Sequence, residues 1–466
     1  MSAIQTSPFL ENNFAPVREE THIENLQVIG ALPRDMNGMF LRIGPNPQFA
    51  PIGTYHWFDG DGMLHGVRVN DGKASYRNRY VRTKGFEVER EQGHAIWSGL
   101  MEPPQFDNPN GPFKNAANTA LVWHDGRLLA LWEGGEPHNI SMPGLETVGP
   151  YDYNSTLMSA FTAHPKVDAV TGEMMFFGYA PMPPYLQYSV VSASGELLRT
   201  VPIDIPTGVM IHDCAVTEHY TLLLDLPVTF NLEAMTTAEP LLNWNPDNGA
   251  RIGIVPRHGT NDDVTWFAIP PCYVFHTTNA YEDGDEVVLI ACRANSTNVL
   301  MDAGQPPQEG QADQSPRMHR WRFNMKTGTV TEEGLDDVPS EFPRINESLL
   351  GRQHRYSYSA RFPAGASMPL FEGFQKYDHE RGTIESHLHG KNRYGGEGVF
   401  VPRDGAKAED DGWVVTYVHD EISDSAEMVV VSAQDMTAAP VARVLIPARV
   451  PYGFHAAWVA GEHISA

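Results

Sequence analysis

The stretch HPKVDAVTGEMMFFGYAPMPPYLQYSVVSASGELLRTV, residues 164–201, decides the fold class of this chain. It repeats one local form, in which an apolar segment meets a short polar turn and continues as a second apolar segment. The stretch FNMKTGTVTEEG, residues 323–334, has the same form. Serial hairpins with period-two patterning are typical of β-strands rather than of helices. The sequence therefore predicts an all-β fold.

Short apolar segments between turns recur along the rest of the 466 residues, and long amphipathic helices are few. No Ser/Gly-rich or charged linker divides the chain. A β-propeller accommodates this length by radial repetition about one axis, so residues 1–466 are predicted to form a single β-propeller domain. Two segments, Trp97–Thr119 and Asn295–Pro316, are too polar or too rich in Pro for a blade. We expect them to be excursions that roof one face.

Charge and cysteine content limit the partners and the compartment. The chain carries 58 acidic and 33 basic side chains, a formal net charge of −25, which disfavours binding to nucleic acid or to anionic lipid. Cys214, Cys272 and Cys292 have no pairing or metal-type spacing, so a reducing cytoplasm is expected. The first residues lack a signal-peptide pattern, and no stretch of about 18 apolar residues is present. Peripheral membrane contact is the most that this pattern predicts.

Four of the nineteen histidines stand at the ends of apolar or aromatic segments that lie far apart in the chain. The inner strands of a propeller converge on its axis and would bring such positions together. Four neutral nitrogen donors suit Fe(II), whereas a structural zinc more often uses Cys and a hydrolytic site keeps a carboxylate. Packed or hydrogen-bonded core histidines are the alternative. The four are His164 in FTAHPKVD, His212 in VMIHDCAV, His276 in YVFHTTNAY and His455 in PYGFHAAWV.

Acidic residues in apolar surroundings could complete such a site. Metal-bound imidazoles normally donate their second N–H to an acceptor, and Glu133 in LLALWEGG, Glu341 in SEFPRIN and Glu397 in GGEGVFVPR are candidates. Taken singly, each is more often a surface or turn residue. Asp59 and Asp61, in YHWFDGDGM, are interpreted as turn residues whose glycines tolerate positive φ. A catalytic acid pair is the alternative there, and a calcium loop fails on spacing.

A series of ordered motifs extends over nearly the whole chain. They include GALPRDMNGMFLRIGPNPQFAP, YHWFDGDGMLHGVRV, AANTALVWHDGRLLALWEGG, FTAHPKVDAVTGEMMFFGYAP, EDDGWVVTYVHD and RVPYGFHAAWV. With these motifs the chain resembles the carotenoid cleavage oxygenases, and most of all the plant-type enzymes that cut carotenoids or apocarotenoids at the 9,10 bond.

The resemblance implies a seven-bladed propeller with iron on its axis. It implies that His164, His212, His276 and His455 bind Fe(II) and that Glu133, Glu341 and Glu397 orient three of the rings. The implied reaction splits a conjugated C=C bond with O2 into two carbonyl products, without reductant, flavin or nicotinamide. The chain indeed lacks the G-x-G-x-x-G dinucleotide fingerprint.

The substrate is less determined than the reaction. Plant-type relatives carry a longer apolar excursion where this chain has Trp97–Thr119, and bacterial stilbene-cleaving relatives carry a Lys where this chain has Trp132. No Tyr occurs in AIWSGLMEPP to help grip a phenol. An aromatic ring at 132 suits a polyene, so a carotenoid or apocarotenoid is favoured. Phenylpropenoid alkenes of the stilbene, isoeugenol or vinylguaiacol type are the alternative, and a propeller that binds or isomerises a hydrophobic ligand without cleavage is a third possibility.

Aromatic residues near the motifs are candidates for a substrate tunnel, with ordinary core packing as the alternative for each. They are Phe58, Trp132, Phe161, Tyr185, Phe275, Phe374 and Phe454.

Overall fold

In the computed structural model of the protein, residues 7–464 are described except for 236, 238–239, 298–313 and 367. Seven sheets of four or more strands form the blades of a propeller, and they are numbered here as blades 1 to 7. The predicted all-β class and the seven-bladed propeller are confirmed. Within the described residues no helix has both the length and the apolar character that a membrane span requires.

Consecutive strands pair in antiparallel fashion within each blade. Blade 1 contains His22–Ile23, Gly38–Pro45, Gly62–Asn70, Lys73–Tyr80 and Ala456–Ala460. Blade 2 contains Ala120–His124, Arg127–Leu131, His138–Ile140 and Thr147–Pro150. Blade 3 contains Lys166–Val167, Met174–Tyr179, Leu186–Val191 and Leu197–Ile203. Blade 4 contains Cys214–Val216, Tyr220–Asp225, Ala250–Pro256 and Thr265–Ile269, with a separate ribbon of Val228–Phe230 and Leu242–Trp244 inserted.

The remaining three blades follow the same pattern. Blade 5 contains Tyr273–Asp283, Glu286–Ala294, Arg317–Asn324 and Val330–Gly334. Blade 6 contains Ser340–Ile345, Tyr356–Arg361, Gly373–Asp378 and Thr383–Leu388. Blade 7 contains Val28–Gly30, Arg393–Tyr394, Val399–Pro402, Gly412–Asp420, Ser425–Ser432 and Ala442–Ile446.

The two ends of the chain close the ring. The C-terminal strand Ala456–Ala460 pairs with Gly38–Pro45, with Arg42 opposite Ala456. The N-terminal strand Val28–Gly30 pairs with Ala442–Ile446 in blade 7. Closure at both seams protects the sheet edges that an open array would expose.

Apolar side chains fill the spaces between the blades. One core packs blade 7 against blade 1 through residues such as Val430 and Val67, and another packs blade 4 against blade 5 through residues such as Ile254 and Leu289. Both faces of the middle strands are therefore covered, which explains why Glu286–Ala294 is almost continuously apolar. The outermost strands have one free face, and Thr383–Leu388 is largely exposed.

The hairpins quoted at the start occur where they were predicted. Val167 pairs with Met174 across the turn that contains Gly172. Phe323 pairs with Val330 across the turn that contains Gly328. Gly172 and Gly328 have φ angles of 72° and 71°. Only a residue without a β-carbon adopts this left-handed conformation readily, so the glycines set the turns.

Helices are short and lie outside the blades. The α-helix Lys84–Gln92 begins at Thr83, whose side chain accepts the N–H of Phe86, and ends at Gly93. The described 3-10 helices are Pro8–Leu10, Asn12–Phe14, Trp57–Asp59, Leu232–Met235, Pro246–Asn248, Asn261–Asp263, Glu347–Leu349 and Gly461–His463.

The segment Trp97–Thr119, named here the roof segment, contains no blade strand, as predicted. It is held down by two aspartates, because Asp59 accepts the N–H of Leu100 at 2.8 Å and Asp61 pairs with Lys114 at 2.5 Å. Its last residue, Thr119, accepts the N–H of His455 through its carbonyl oxygen at 3.3 Å. Of the second predicted excursion, Asn295–Pro316, residues 298–313 lie outside the described part of the chain.

The interpretation of the DGDG run needs one correction. Gly60 has a φ of −68°, and Gly62 is not among the glycines with positive φ. The reason for glycine is close approach, since a β-carbon on Gly62 would lie 2.1 Å from the carbonyl oxygen of Ala117 in the roof segment.

A buried ion cluster on Asp168 joins blades 3, 4 and 6. The carboxylate lies 2.6 Å from a guanidinium nitrogen of Arg257, 3.1 Å from one of Arg352 and 2.7 Å from the N–H of Val170. Burial opposes ionisation, but the N–H of Val170 and the two guanidiniums lower the pKa of Asp168 to about 2.

Asp168→Asn is expected to destabilise the fold by about 3–5 kcal/mol at neutral pH, because it leaves buried guanidiniums without their anion. The carboxylate pKa is lowered in the folded state, so its stabilisation is present above the unfolded value of about 3.9. That stabilisation is lost as the pH falls toward the folded pKa. Thermal unfolding should show a large difference in Tm between wild type and variant at neutral pH and little difference near pH 2. Equal Tm values at neutral pH would contradict this role.

Candidate metal centre

Four histidines predicted from the sequence meet where the inner ends of four blades converge. His164, His212 and His455 each lie one or two residues before an edge strand of their sheets in blades 3, 4 and 1, and His276 lies within Tyr273–Asp283 of blade 5. Their ligand-type nitrogen atoms all lie within 4.8 Å of one another. The Nε2 atoms of His164 and His212 are 3.0 Å apart.

Local irregularities in two strands direct side chains toward this point. The register of Tyr273–Asp283 shifts between Val274 and Thr277, around His276. The register of Ser340–Ile345 shifts between Glu341 and Arg344. Because a β-bulge changes the direction in which side chains project, these two irregularities account for the inward orientation of His276 and Glu341.

The three predicted glutamates pair with three of the four histidines. Glu133 lies 2.9 Å from Nδ1 of His212. Glu341 lies 2.5 Å from Nδ1 of His276, and Glu397 lies 3.1 Å from Nδ1 of His455. These glutamates come from blades 2, 6 and 7, so the four histidines and three glutamates come one from each of the seven blades.

The carboxylates have different surroundings. Burial raises the pKa of Glu341 well above its usual range, and only the N–H of Phe342 opposes this. Burial also acts to raise the pKa of Glu397, but Arg344 and then His455 lower it below its ordinary value. A further anchor on Glu397 is the N–H of Ala456, which donates at 2.6 Å.

Two of the imidazoles are held in the neutral form. Burial, followed by the neighbouring imidazoles, holds the pKa of both His164 and His276 well below the usual value. With Nδ1 of His276 donating to Glu341, its Nε2 bears a lone pair. That Nε2 atom is buried and has no hydrogen-bond partner among the described residues. A buried nitrogen lone pair directed at three other imidazoles fits a metal ion, because a buried acceptor without a partner is costly.

Two further residues at the centre were missed from the sequence. Phe342 packs its ring 5.1 Å from that of His276 and 4.9 Å from that of His455, measured between centroids, and its φ is 52°. Tyr179 donates its hydroxyl to Glu133 at 3.0 Å. The sequence offered one signal for Phe342, namely its position directly after Glu341.

The predicted tunnel residues fall into two groups. Phe58 and Phe454 pack together with a centroid distance of 5.5 Å, and Phe275 lies 5.6 Å from the ring of His212. The indole of Trp132 folds over Gly134, where a β-carbon would come within 2.5 Å of it. Trp132, Phe275 and Phe454 each directly precede a residue of the centre in the sequence, and Phe58 packs on Phe454.

The other three lie in apolar packing between blades. Phe161 stacks on Phe176 at 4.1 Å in the core between blades 2 and 3. Phe374 is fully buried between blades 6 and 7. Tyr185 is half-buried against the core between blades 3 and 4. Their contacts are those of core residues.

The fold and the cluster together define a β-propeller with a candidate four-histidine metal centre on its axis. A family model described as retinal pigment epithelial membrane protein matches residues 14–460. The chain is 40% identical over 493 residues to carotenoid 9,10(9',10')-cleavage dioxygenase 1 of Arabidopsis thaliana, an alignment that covers 98% of this chain and 90% of the relative.

Solved structures support the same relationship. Lignostilbene dioxygenase of Pseudomonas brassicacearum superposes with a TM-score of 0.91 at 30% identity, covering 99% of this chain and 100% of that one. The cobalt-substituted apocarotenoid oxygenase of Synechocystis superposes with a TM-score of 0.85 at 28% identity, covering 96% and 97%. The chain belongs to the carotenoid cleavage oxygenase family, as its motifs predicted. It is an alkene-cleaving dioxygenase.

Proposed function

We propose that His164, His212, His276 and His455 bind Fe(II) and that the enzyme cleaves a conjugated double bond of a carotenoid or apocarotenoid. The observation that supports the metal most directly is the convergence of four imidazoles, three of them bound through Nδ1 to a carboxylate. Four nitrogen donors suit a borderline first-row ion. Iron bound there would supply activation of O2, whose two atoms enter the two carbonyl products.

The chain's own residues orient the ligands and keep water out. Glu133, Glu341 and Glu397 hold the Nδ1–H tautomer of three rings, which directs each Nε2 toward the ion and raises its basicity. Phe342 covers the rings of His276 and His455 with apolar surface. A dry, apolar centre suits a hydrocarbon substrate, because burial of its surface contributes to binding.

The polyene proposal rests on residue 132, which is a tryptophan and not a cationic residue that could bind a phenolate. Trp132 precedes Glu133 in a position where a cation would hold a phenolate, and it offers an aromatic face instead. The lysines on adjoining segments are engaged elsewhere, since Lys114 pairs with Asp61 and Glu89 and Lys166 pairs with Asp213. The identity of 40% to a plant carotenoid dioxygenase supports the same substrate class.

A phenylpropenoid alkene is the second candidate. Its support is the close superposition on lignostilbene dioxygenase, with a TM-score of 0.91, together with the short roof segment. A short roof leaves less apolar surface for collecting a long polyene.

A competition assay separates the candidates. Fe(II)-loaded enzyme in detergent is given β-carotene, an apocarotenal, resveratrol and isoeugenol together, and O2 uptake and carbonyl products are followed. We expect ionone- or dialdehyde-type products, whose masses locate the cut bond. Aromatic aldehydes alone would contradict the polyene proposal, and absence of O2 uptake with every substrate would contradict cleavage itself.

Variants of Trp132 provide the matched control. Trp132→Phe keeps an aromatic face and should retain the substrate preference of the wild type. Trp132→Lys places an ammonium beside Glu133 and should lower polyene turnover. Unchanged polyene turnover in Trp132→Lys would mean that residue 132 does not contact the substrate.

A further inference from the structure

One carboxylate joins the strands that carry three of the four histidines. Asp213 directly follows His212 and is almost fully buried. Its Oδ1 accepts the N–H of Cys214 at 2.7 Å and lies 2.8 Å from the ammonium of Lys166. Its Oδ2 accepts the N–H of Thr277 at 2.8 Å and lies 2.9 Å from the Thr277 hydroxyl, which is also 2.9 Å from the carbonyl oxygen of Cys214.

Each of these contacts lies next to a histidine of the cluster. Lys166 is two residues beyond His164 at the start of a blade 3 strand, and Thr277 is one residue beyond His276 in blade 5. The bond to the backbone N–H of Thr277 holds the strand itself and not only a side chain. Asp213 with its donors Lys166 and Thr277, named here the strand tie, therefore links blades 3, 4 and 5 immediately beside the rings.

The fourth histidine has an anchor of its own. His455 lies outside the strand tie, and the adjacent Ala456 is held at both backbone atoms. Its N–H donates to Glu397 at 2.6 Å, and its carbonyl oxygen accepts from Arg344 at 3.2 Å. The strand tie is thus specific to His164, His212 and His276.

Charge gives Asp213 a second effect. The Lys166 ammonium lies 2.8 Å from Asp213, and Lys166 is only two residues beyond His164. A cation this close also repels a divalent ion. The carboxylate of Asp213 offsets that repulsion.

We propose that Asp213 is a positioning residue that sets the mutual spacing of His164, His212 and His276 and thereby the affinity and geometry of metal binding. This inference rests on the proposed metal site. Asparagine at this position has one acceptor oxygen where aspartate has two. Its NH2 group would therefore face groups that are themselves hydrogen-bond donors. Thr277→Val removes only the hydroxyl donor and changes no charge, so it isolates geometry from electrostatics.

The test uses the full chain stripped of metal and titrated with Co(II), against a competing chromophoric chelator. The dissociation constant, the visible d–d absorption and the Tm of the apoprotein are measured for each variant. Asp213→Asn should weaken Co(II) binding about 10- to 100-fold, the usual effect of losing a group that orients ligands. Thr277→Val should weaken it at the lower end of that range and alter the d–d absorption. Thr277→Ser, which keeps the hydroxyl, should restore wild-type binding.

Asp168→Asn is the matched control, since Asp168 is another buried carboxylate that bridges blades but contacts no residue adjacent to His212 or His276. It should lower the apoprotein Tm and leave Co(II) affinity and absorption unchanged. If Asp213→Asn fails to fold, the Co(II) binding of Thr277→Val still tests the positioning role. Wild-type affinity and absorption in Thr277→Val, or an equal loss of affinity in Asp168→Asn, would overturn the positioning role. A wild-type chain that binds no Co(II) would overturn the metal site and this inference with it.

Discussion

His276→Ala is expected to abolish metal binding and alkene cleavage together while the propeller remains folded. The imidazole supplies the buried Nε2 atom, which has no hydrogen-bond partner in the part of the chain that the structure describes. It also packs between the rings of His164, His212 and His455, with centroid distances of 5.0, 5.0 and 4.7 Å. Three remaining ligands would hold the ion weakly and in altered geometry. Metal analysis of the purified variant and an O2-uptake trace measure the two losses.

The control is His379→Ala, because His379 is half-buried in the turn before the outer strand of blade 6, bonds to the hydroxyl of Ser357 at 2.8 Å and lies outside the cluster. It should keep both metal and turnover. Circular dichroism should show an unchanged β-rich spectrum for both variants. A His276→Ala enzyme that retains turnover would remove His276 from the ligand set.

Glu341→Gln is expected to keep part of the metal and to lower turnover about 10- to 100-fold, as loss of a carboxylate that orients a ligand usually does. Oε2 of Glu341 accepts both Nδ1 of His276 and the N–H of Phe342. A glutamine oxygen can take over both bonds, so the ring orientation is largely kept. Loss of the carboxylate makes the imidazole a weaker electron-pair donor to the metal, and the new NH2 group lies at the buried Oε1 position, which has no hydrogen-bond partner among the described residues.

Glu385→Gln is the matched control, since Glu385 lies in the exposed outer strand of the same blade. It should behave as the wild type in metal content and in turnover. Wild-type turnover in Glu341→Gln would show that the carboxylate does not orient His276.

The architecture could be predicted from the sequence because its signals are local. The hairpin around Gly172 is encoded within about ten residues, by apolar segments on each side of a turn. The roof segment was recognised as an excursion from its Pro and Asn content alone. The interpretation of Gly62 was wrong because its constraint is contact with Ala117, 55 residues further along the chain, and no local pattern shows that distance.

The candidate centre could be predicted only in part from the sequence. The histidines and glutamates were found through motifs, and their roles as ligands and acceptors stay predictions. Phe342 was missed because its contact with two rings depends on a bulge and a φ of 52°. The strand tie was missed because Lys166, Asp213 and Thr277 are ordinary polar residues in the sequence, and only the packing of three blades makes them partners.

The sequence by itself determined the strands, the turns, the family and the set of residues able to bind a metal, because each of these depends on residue type and on near neighbours. Only the tertiary structure decided which of those residues meet. The strand Ala456–Ala460 pairs with Gly38–Pro45, although almost the whole chain separates the two strands in the sequence. This closure of the ring places the centroid of the His455 ring 4.4 Å from that of the His164 ring. That contact exists because seven blades close into a ring, and the closure is a property of the packed apolar faces between blades rather than of any one segment.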